Sequence, residues 1–251
     1  MKRLAQMGLW LFASLCIAPV LLADEADVLA AIQKANPALT IKEVKNSPLN
    51  GLYYAVVDGT SGYISADGKL FITGDMFDVA SRTNLSEQTR KTARVDFLKA
   101  LDPKDTIVFA PREVKHTVTV FTDVDCAYCR KLHAEMPKYH ERGIGVRYVA
   151  YPRSGRESES WGTMQAVWCA SDRQDALTRA KRDEKITSSK NCKAAANVET
   201  QYELGNRLGL QGTPMILLAD GRVLGGFANA DELSKILEGK KLPAAAPAAA
   251  K

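Results

Sequence analysis

The chain is short of the side chains that most hydrolytic and acid–base enzymes rely on. It has three histidines in 251 residues, and no serine stands in the strand–turn–helix setting of a nucleophile elbow, so a hydrolytic triad has no footing. Glycine-rich phosphate loops are missing as well, which removes the usual nucleotide-binding readings. A formal charge of +5 without a basic cluster interleaved with aromatics leaves no electrostatic footprint for nucleic acid. Cysteine is sparse, with five in total, and residues 24–85 hold neither cysteine nor histidine. Two of those few cysteines stand together, as Cys126-Ala127-Tyr128-Cys129.

The N-terminus sets the compartment. Lys2-Arg3 is followed by the nearly continuous apolar run Leu9 to Leu22, and Ala23 ends it just before Asp24-Glu25. That order predicts a cleaved secretory signal over residues 1–23, too short and too soon followed by charge for a membrane anchor. Cys16 raises a lipoprotein alternative, although Leu15 stands where such a site wants a small residue. A mature start at Asp24 removes Lys2, Arg3 and Cys16, lowering the formal charge from +5 to +3 and the cysteines from five to four. An even number of cysteines in an exported chain of about 228 residues fits an oxidising compartment, and the chain is long enough for one large domain or two small ones.

Residues 24–85 read as one unit. Asp27 to Ala35 carries Val28, Leu29 and Ile32 at helical spacing and stops at Asn36-Pro37. Strand-like pieces follow at Leu39–Val44, Leu52–Val57, Tyr63–Ser65 and Lys69–Thr73, with Asp58-Gly59 and Asp67-Gly68 as turn signals. So small a helix-plus-meander has a marginal core, which favours pairing with a second copy through an exposed sheet face or edge. Ser86 to Leu101 predicts a helix with Ser86 as N-cap. Ala93, Phe97, Leu98 and Leu101 fall on one face, and Arg90, Lys91, Arg94 and Lys99 on the other. It is read as a linker over 86–103, with an ordinary packed helix as the alternative.

From residue 104 the pattern becomes α/β. His116–Phe121 predicts a strand. A helix opens at Cys126 and runs to about Arg142 with a kink at Pro137, and Gly145–Tyr151 is the next strand. Residues 157–208 are rich in helix formers, with a charged stretch from Arg179 to Lys185. Met215–Ala219, the Asp220-Gly221 turn and Val223-Leu224 make a hairpin, and Asp231–Leu237 a last helix. This unit is assigned 104–241, and residues 242–251 an Ala/Pro-rich disordered tail.

Cys126 and Cys129 have the spacing of a thioredoxin-type redox pair, and a helix beginning there would lower the first thiol's pKa. A covalent haem site needs histidine after the second cysteine, where this chain has Arg130. Zinc held by Cys126, Cys129, His133 and either Cys169 or Cys192 is a weaker alternative, and a purely structural bond inside the motif would close too tight a loop to gain much. His133 and His140 read as ordinary helix residues, and His116 as the start of a strand. Cys169 and Cys192 pair economically in an oxidising compartment, closing a loop of about 24 residues that contributes about 3 kcal/mol. Thr213-Pro214 after Gly212 is either an ordinary proline at a strand start or a cis peptide.

Taken together, Phe121-Thr122-Asp123, Cys126-Ala127-Tyr128-Cys129, Tyr151-Pro152-Arg153, Trp168-Cys169-Ala170 and Gly212-Thr213-Pro214 resemble the periplasmic thiol:disulfide isomerases of the DsbC type. The likeness covers essentially the whole mature chain. The DsbG branch is similar in layout, but typically has proline after its first active cysteine and lacks the extra cysteine pair. The resemblance implies a thioredoxin-like catalytic domain with a helical insertion, preceded by a small helix-plus-antiparallel-sheet (cystatin-like) dimerisation domain and a linker helix. It implies a V-shaped periplasmic homodimer with Cys126 and Cys129 as catalytic cysteines and Thr213-Pro214 as a cis-proline loop that binds substrate. Misfolded exported proteins would be held in the cleft for isomerisation and chaperoning, and an inner-membrane reductase of the DsbD type would keep the pair reduced. No cofactor, metal or nucleic acid is called for. The alternatives are a DsbA-like oxidase and a holding chaperone or zinc module. Ala127 departs from the usual glycine, and Asp125 sets a carboxylate before Cys126 against the helix start, Arg130 and Lys131.

Overall fold

The computed structural model describes residues 24–210 and 212–240. The expected leader over 1–23, with Cys16, and the tail over 242–251 lie outside the described residues.

Asp24 opens helix α1 (Glu25–Ala35) by accepting the Asp27 amide, and the Asp27 side chain returns a bond to the Asp24 amide. Strands β1 (Ile41–Asn46), β2 (Leu52–Val57), β3 (Thr60–Ser65) and β4 (Phe71–Thr73) form an antiparallel sheet in the order β1-β2-β3-β4. Alternation along the strands sends Tyr53, Ala55, Val57 and Ile64 to the face where α1 places Val28 and Ile32. Tyr54, Val56 and Tyr63 point the other way, to a second cluster with Leu52 and Met76.

That second face is covered by the start of helix α2 (Leu85–Ala100), and here one expectation is corrected. Asn84, not Ser86, is the N-cap, accepting the Glu87 amide. Ser86 is fully buried, 2.6 Å from the Tyr63 hydroxyl, and accepts the Met76 amide at 2.8 Å. A short ribbon, β5 (Phe77–Asp78) with β6 (Thr83–Asn84), precedes the helix. Its two-residue strands are too short for an alternating pattern to reveal.

The larger sheet has the order β11-β10-β8-β9-β7. At its centre β8 (His116–Thr122) runs parallel to β9 (Ile144–Ala150). β10 (Met215–Leu217) is antiparallel to β8, β11 (Val223–Gly225) to β10, and β7 (Ile107–Phe109) to β9 at the other edge. The single kinked helix expected after Cys126 is two helices, α3 (Ala127–Ala134) and α4 (Met136–Glu141), divided at Glu135. Pro137 sits in the first turn of α4, where its missing N–H has no intrahelical partner to lose. The region after β9 resolves into α5 (Glu159–Cys169), α6 (Arg173–Ala180) and α7 (Ala196–Arg207), and α8 (Ala230–Leu237) follows the hairpin. Leu132, Tyr139, Tyr148, Met164, Trp168 and Ile216 are fully buried in the main core.

The apolar side of α2 packs on this second unit. Ala93, Phe97, Leu98 and Leu101 meet Phe121, Val149, Tyr151 and Leu217, with the Phe97 and Phe121 ring centroids 5.9 Å apart. Arg94, on the face opposite the apolar one, is nonetheless 4% exposed and donates to the Gly221 carbonyl at 2.8 Å while ion-paired with Glu87. Gly221 has φ +81°, and a Cβ there would stand 2.6 Å from the Lys91 carbonyl. The helix therefore approaches the β10–β11 turn as closely as glycine permits.

Candidate active site

The chain leaves the C-terminal end of β8 at Thr122 and turns through Asp123 before α3 begins. Asp123 is 1% exposed and organises this turn. Its carboxylate accepts the Asp125 amide at 3.0 Å, the Arg153 amide at 3.1 Å and the Ser160 hydroxyl. Cys126 is the N-cap residue of α3, and Cys129 lies in its first turn, so both sulfurs sit at the positive end of the helix. Both cysteines are free and buried, while Tyr128 between them is exposed.

Thr213 and Pro214 come from the opposite side, joined by a cis peptide bond at the start of β10. The Cys126 thiol donates to the Thr213 carbonyl at 3.1 Å. Arg153, from the loop after β9, reaches the Thr213 hydroxyl at 3.3 Å. The sequence-predicted Cys126, Cys129, Thr213 and Pro214 thus converge in one place.

The electrostatics divide the two sulfurs. The hydrogen bond from Cys129 is the largest influence on Cys126 and draws its thiol well below the ordinary range. Burial opposes this, and the Thr213 side chain, the Cys129 amide and the Arg153 cation add to the lowering. Cys129 moves the other way, raised first by burial and then by its bond with Cys126. Cys126 is therefore the sulfur that ionises first, and Cys129 the one that keeps its proton. Arg130 pairs with Asp183 and, at 3.6 Å, with Asp125, while Lys131 lies 4.5 Å above the Phe227 ring. The nearby cations are thus engaged elsewhere, and the distant Arg153 supplies positive charge at Cys126. Burial, then Asp123, raises the Asp125 carboxyl above its usual value.

Cys169 and Cys192 form a disulfide 23 residues apart in sequence, tying the end of α5 to the segment before α7. They are consequently unavailable to the zinc set considered above. His133 lies between the hydroxyls of Tyr148 at 3.1 Å and Thr178 at 3.0 Å, and burial holds it neutral down to about 4. Among the described residues no group of three or more His, Cys, Asp or Glu is arranged to hold a metal. A cavity of about 550 Å³ between β1, α2 and α7 shares no residue with the cysteine pair.

Two contributors were not legible as such. Arg153 is recognisable only as part of a motif, with nothing to say that it reaches Thr213. Lys181, within the charged stretch Arg179 to Lys185, is 5% exposed and donates to the Thr122 hydroxyl at 2.8 Å.

Comparison with known proteins agrees with this geometry. Residues 103–241 match the family described as thioredoxin-like domain, and residues 20–87 the disulfide bond isomerase protein N-terminal domain. The thiol:disulfide interchange protein DsbC of Dickeya dadantii is 35% identical over 229 residues, covering 91% of this chain and 92% of the relative. The chain belongs to the DsbC family. DsbC of Escherichia coli is 34% identical over 213 residues, covering 83% of this chain and 87% of its own. A linker-deletion mutant of Proteus mirabilis ScsC superposes with a TM-score of 0.53 at 21% identity, over 61% of this chain and 82% of that one, and shows the shared fold. As a DsbC-family member the chain is a thiol:disulfide interchange protein with a thioredoxin-like domain behind its N-terminal sheet. Among the described residues no helix is long and apolar enough to cross a membrane.

Proposed function

We propose that the protein is a periplasmic disulfide isomerase that acts through Cys126 in its reduced form. The observation that carries this reading is the Cys126 sulfur, placed at the α3 N-terminus 3.1 Å from the Thr213 carbonyl, with its partners drawing its pKa down. An extended client segment would lie along the Thr213-Pro214 loop, with its disulfide over Cys126. The thiolate attacks one client sulfur, forming the Cys126–client bond and expelling the other sulfur as a thiolate. That freed thiolate attacks a second client disulfide, and the rearrangement ends when a client thiolate displaces Cys126. Client and enzyme then hold the electrons they began with. If rearrangement stalls, Cys129 attacks Cys126, leaving a reduced client and an oxidised motif that an external reductase of the DsbD type must recharge.

Isomerisation and client holding both gain from two sites facing one cleft. β4 is one of the two edge strands of the small sheet, and Leu70, Ile72, Phe77 and Val79 near it are 67%, 53%, 57% and 88% exposed. A second copy paired there would cover these side chains, which an edge strand otherwise leaves to solvent.

A depressed Cys126 pKa also stabilises the reduced state, which makes the oxidised pair a good oxidant and keeps a DsbA-like oxidase as the second reading. The test is reactivation of a scrambled multi-disulfide protein. Cys126→Ser should abolish reactivation, and Cys129→Ser should retain part of it while trapping mixed disulfides. Normal reactivation by Cys126→Ser overturns the assignment, and rapid oxidation of reduced clients by a monomer favours the oxidase.

A further inference from the structure

The exchange chemistry leaves one proton unplaced. Cys129 must lose its proton to attack the Cys126–client bond, yet burial and the neighbouring sulfur hold that proton on. The Thr122 hydroxyl hydrogen-bonds the Cys129 sulfur, and the same oxygen accepts the Lys181 ammonium at 2.8 Å. Lys181 is the C-cap residue of α6, 5% exposed, and its ammonium donates to a hydroxyl rather than to a carboxylate. Its Nζ lies 5.4 Å from the Tyr148 ring centroid. The titratable and charged groups facing it are Asp123, Cys126, Cys129, Arg130, His133 and Tyr148. Burial brings the amine down to about 8, while Cys129, Asp123 and Cys126 favour its cation.

We infer that Thr122 and Lys181 form a relay that takes the Cys129 proton when a mixed disulfide is resolved. This rests on the thiol-exchange reading. Once Cys126 is bonded to a client, its negative charge is gone and the Lys181 amine gives up its proton more readily. The Cys129 S–H proton then passes to the Thr122 oxygen as the Thr122 hydroxyl proton passes to Lys181, leaving an ammonium and a Cys129 thiolate. That thiolate forms the Cys126–Cys129 bond and breaks the Cys126–client bond, whose electron pair leaves with the client sulfur. The client gains two electrons and the motif loses two. Lys181 also lines a cavity of about 400 Å³ whose lining includes the exposed Pro137 and Arg182, a route for the proton to solvent.

The experiment mixes reduced protein with oxidised glutathione and follows two successive releases of glutathione. The first reports attack by Cys126, and the second reports resolution by Cys129. In Lys181→Met the glutathionylated intermediate should accumulate and the second release should slow by roughly 10²-fold at neutral pH, with the deficit narrowing as pH rises. Lys181→Arg keeps the cation but cannot accept a proton, so it should show the same loss. A second release unchanged in rate and pH profile in folded Lys181→Met overturns the relay, as does full rescue by Lys181→Arg. If these variants fail to fold, nuclear magnetic resonance titration of Lys181 in the unsubstituted protein decides. The relay requires a lower apparent pKa in the oxidised than in the reduced protein, and an ordinary value near ~10.4 in both overturns it. Absence of the first release in the unsubstituted protein overturns the exchange reading itself.

Discussion

The partners that lower the Cys126 pKa come from its own helix and from two other parts of the chain. Cys129 is supplied by the helical turn, Thr213 by the loop before β10, and Arg153 by the loop after β9. Of these, Arg153 is the one that carries a positive charge, and its removal leaves both sulfurs in place. Loss of a nearby cation disfavours the thiolate, so Arg153→Met should raise the Cys126 pKa. Alkylation of Cys126 by iodoacetamide should then slow in mildly acidic buffer and remain unchanged in alkaline buffer, where the thiol is ionised in both proteins. Superimposable pH–rate profiles would remove Arg153 from the site. Asp125, whose side chain is 55% exposed and 3.6 Å from Arg130, opposes the thiolate less than its position beside Cys126 suggests, because its charge is shared with that cation.

The elements around the site divide the work of support. α5 sends Trp161, Met164 and Trp168 into the main core, and its last residue is bonded to Cys192. The bond closes the loop that contains α6, and with it Lys181. Chain-entropy arithmetic for a loop of that length gives about 3 kcal/mol. Replacing Cys169 and Cys192 together by alanine should therefore lower unfolding stability by about that amount in denaturant titration. Cys126 alkylation should persist, since neither sulfur touches the redox pair. Equal stability of the two proteins would mean that the unfolded chain gains little freedom from losing the bond.

Helix α2 joins the four-stranded sheet to the five-stranded one and is packed against both. Ser86 pins its start to Tyr63 of the small sheet, and Arg94 and Phe97 hold its middle against the Gly221 turn and Phe121. Such a helix transmits the position of the small sheet to the redox unit, so a second copy bound at β4 would fix two cysteine pairs relative to each other. Size-exclusion with light scattering should give twice the chain mass. Ile72→Lys combined with Val79→Asp should give a monomer that keeps Cys126 alkylation and loses most reactivation of scrambled clients. A monomeric parent protein, or a monomeric variant with undiminished isomerisation, would remove the dimer from the mechanism.

Local pattern alone was enough to reveal the cysteine pair at a helix start, the antiparallel meander with its Asp-Gly turns, β2 to the residue, and the α/β order of the second unit. These features are written in spacing and periodicity, because burial of one face acts on neighbours along the chain. Asn84 rather than Ser86 as the cap, the burial of Arg94 and Lys181, and the reach of Arg153 depended on how the elements cross. Arg94 meets Gly221 from 127 positions away, Lys181 meets Thr122 from 59, and Arg153 meets Thr213 from 60. A lysine in a charged stretch looks solvated until the packing of α6 against α5 and β7 carries it inward. The Cys126-Ala127-Tyr128-Cys129 motif therefore supplies the two sulfurs and the hydrogen bond between them, while burial and the contacts with Thr213 and Arg153 come only with the tertiary structure.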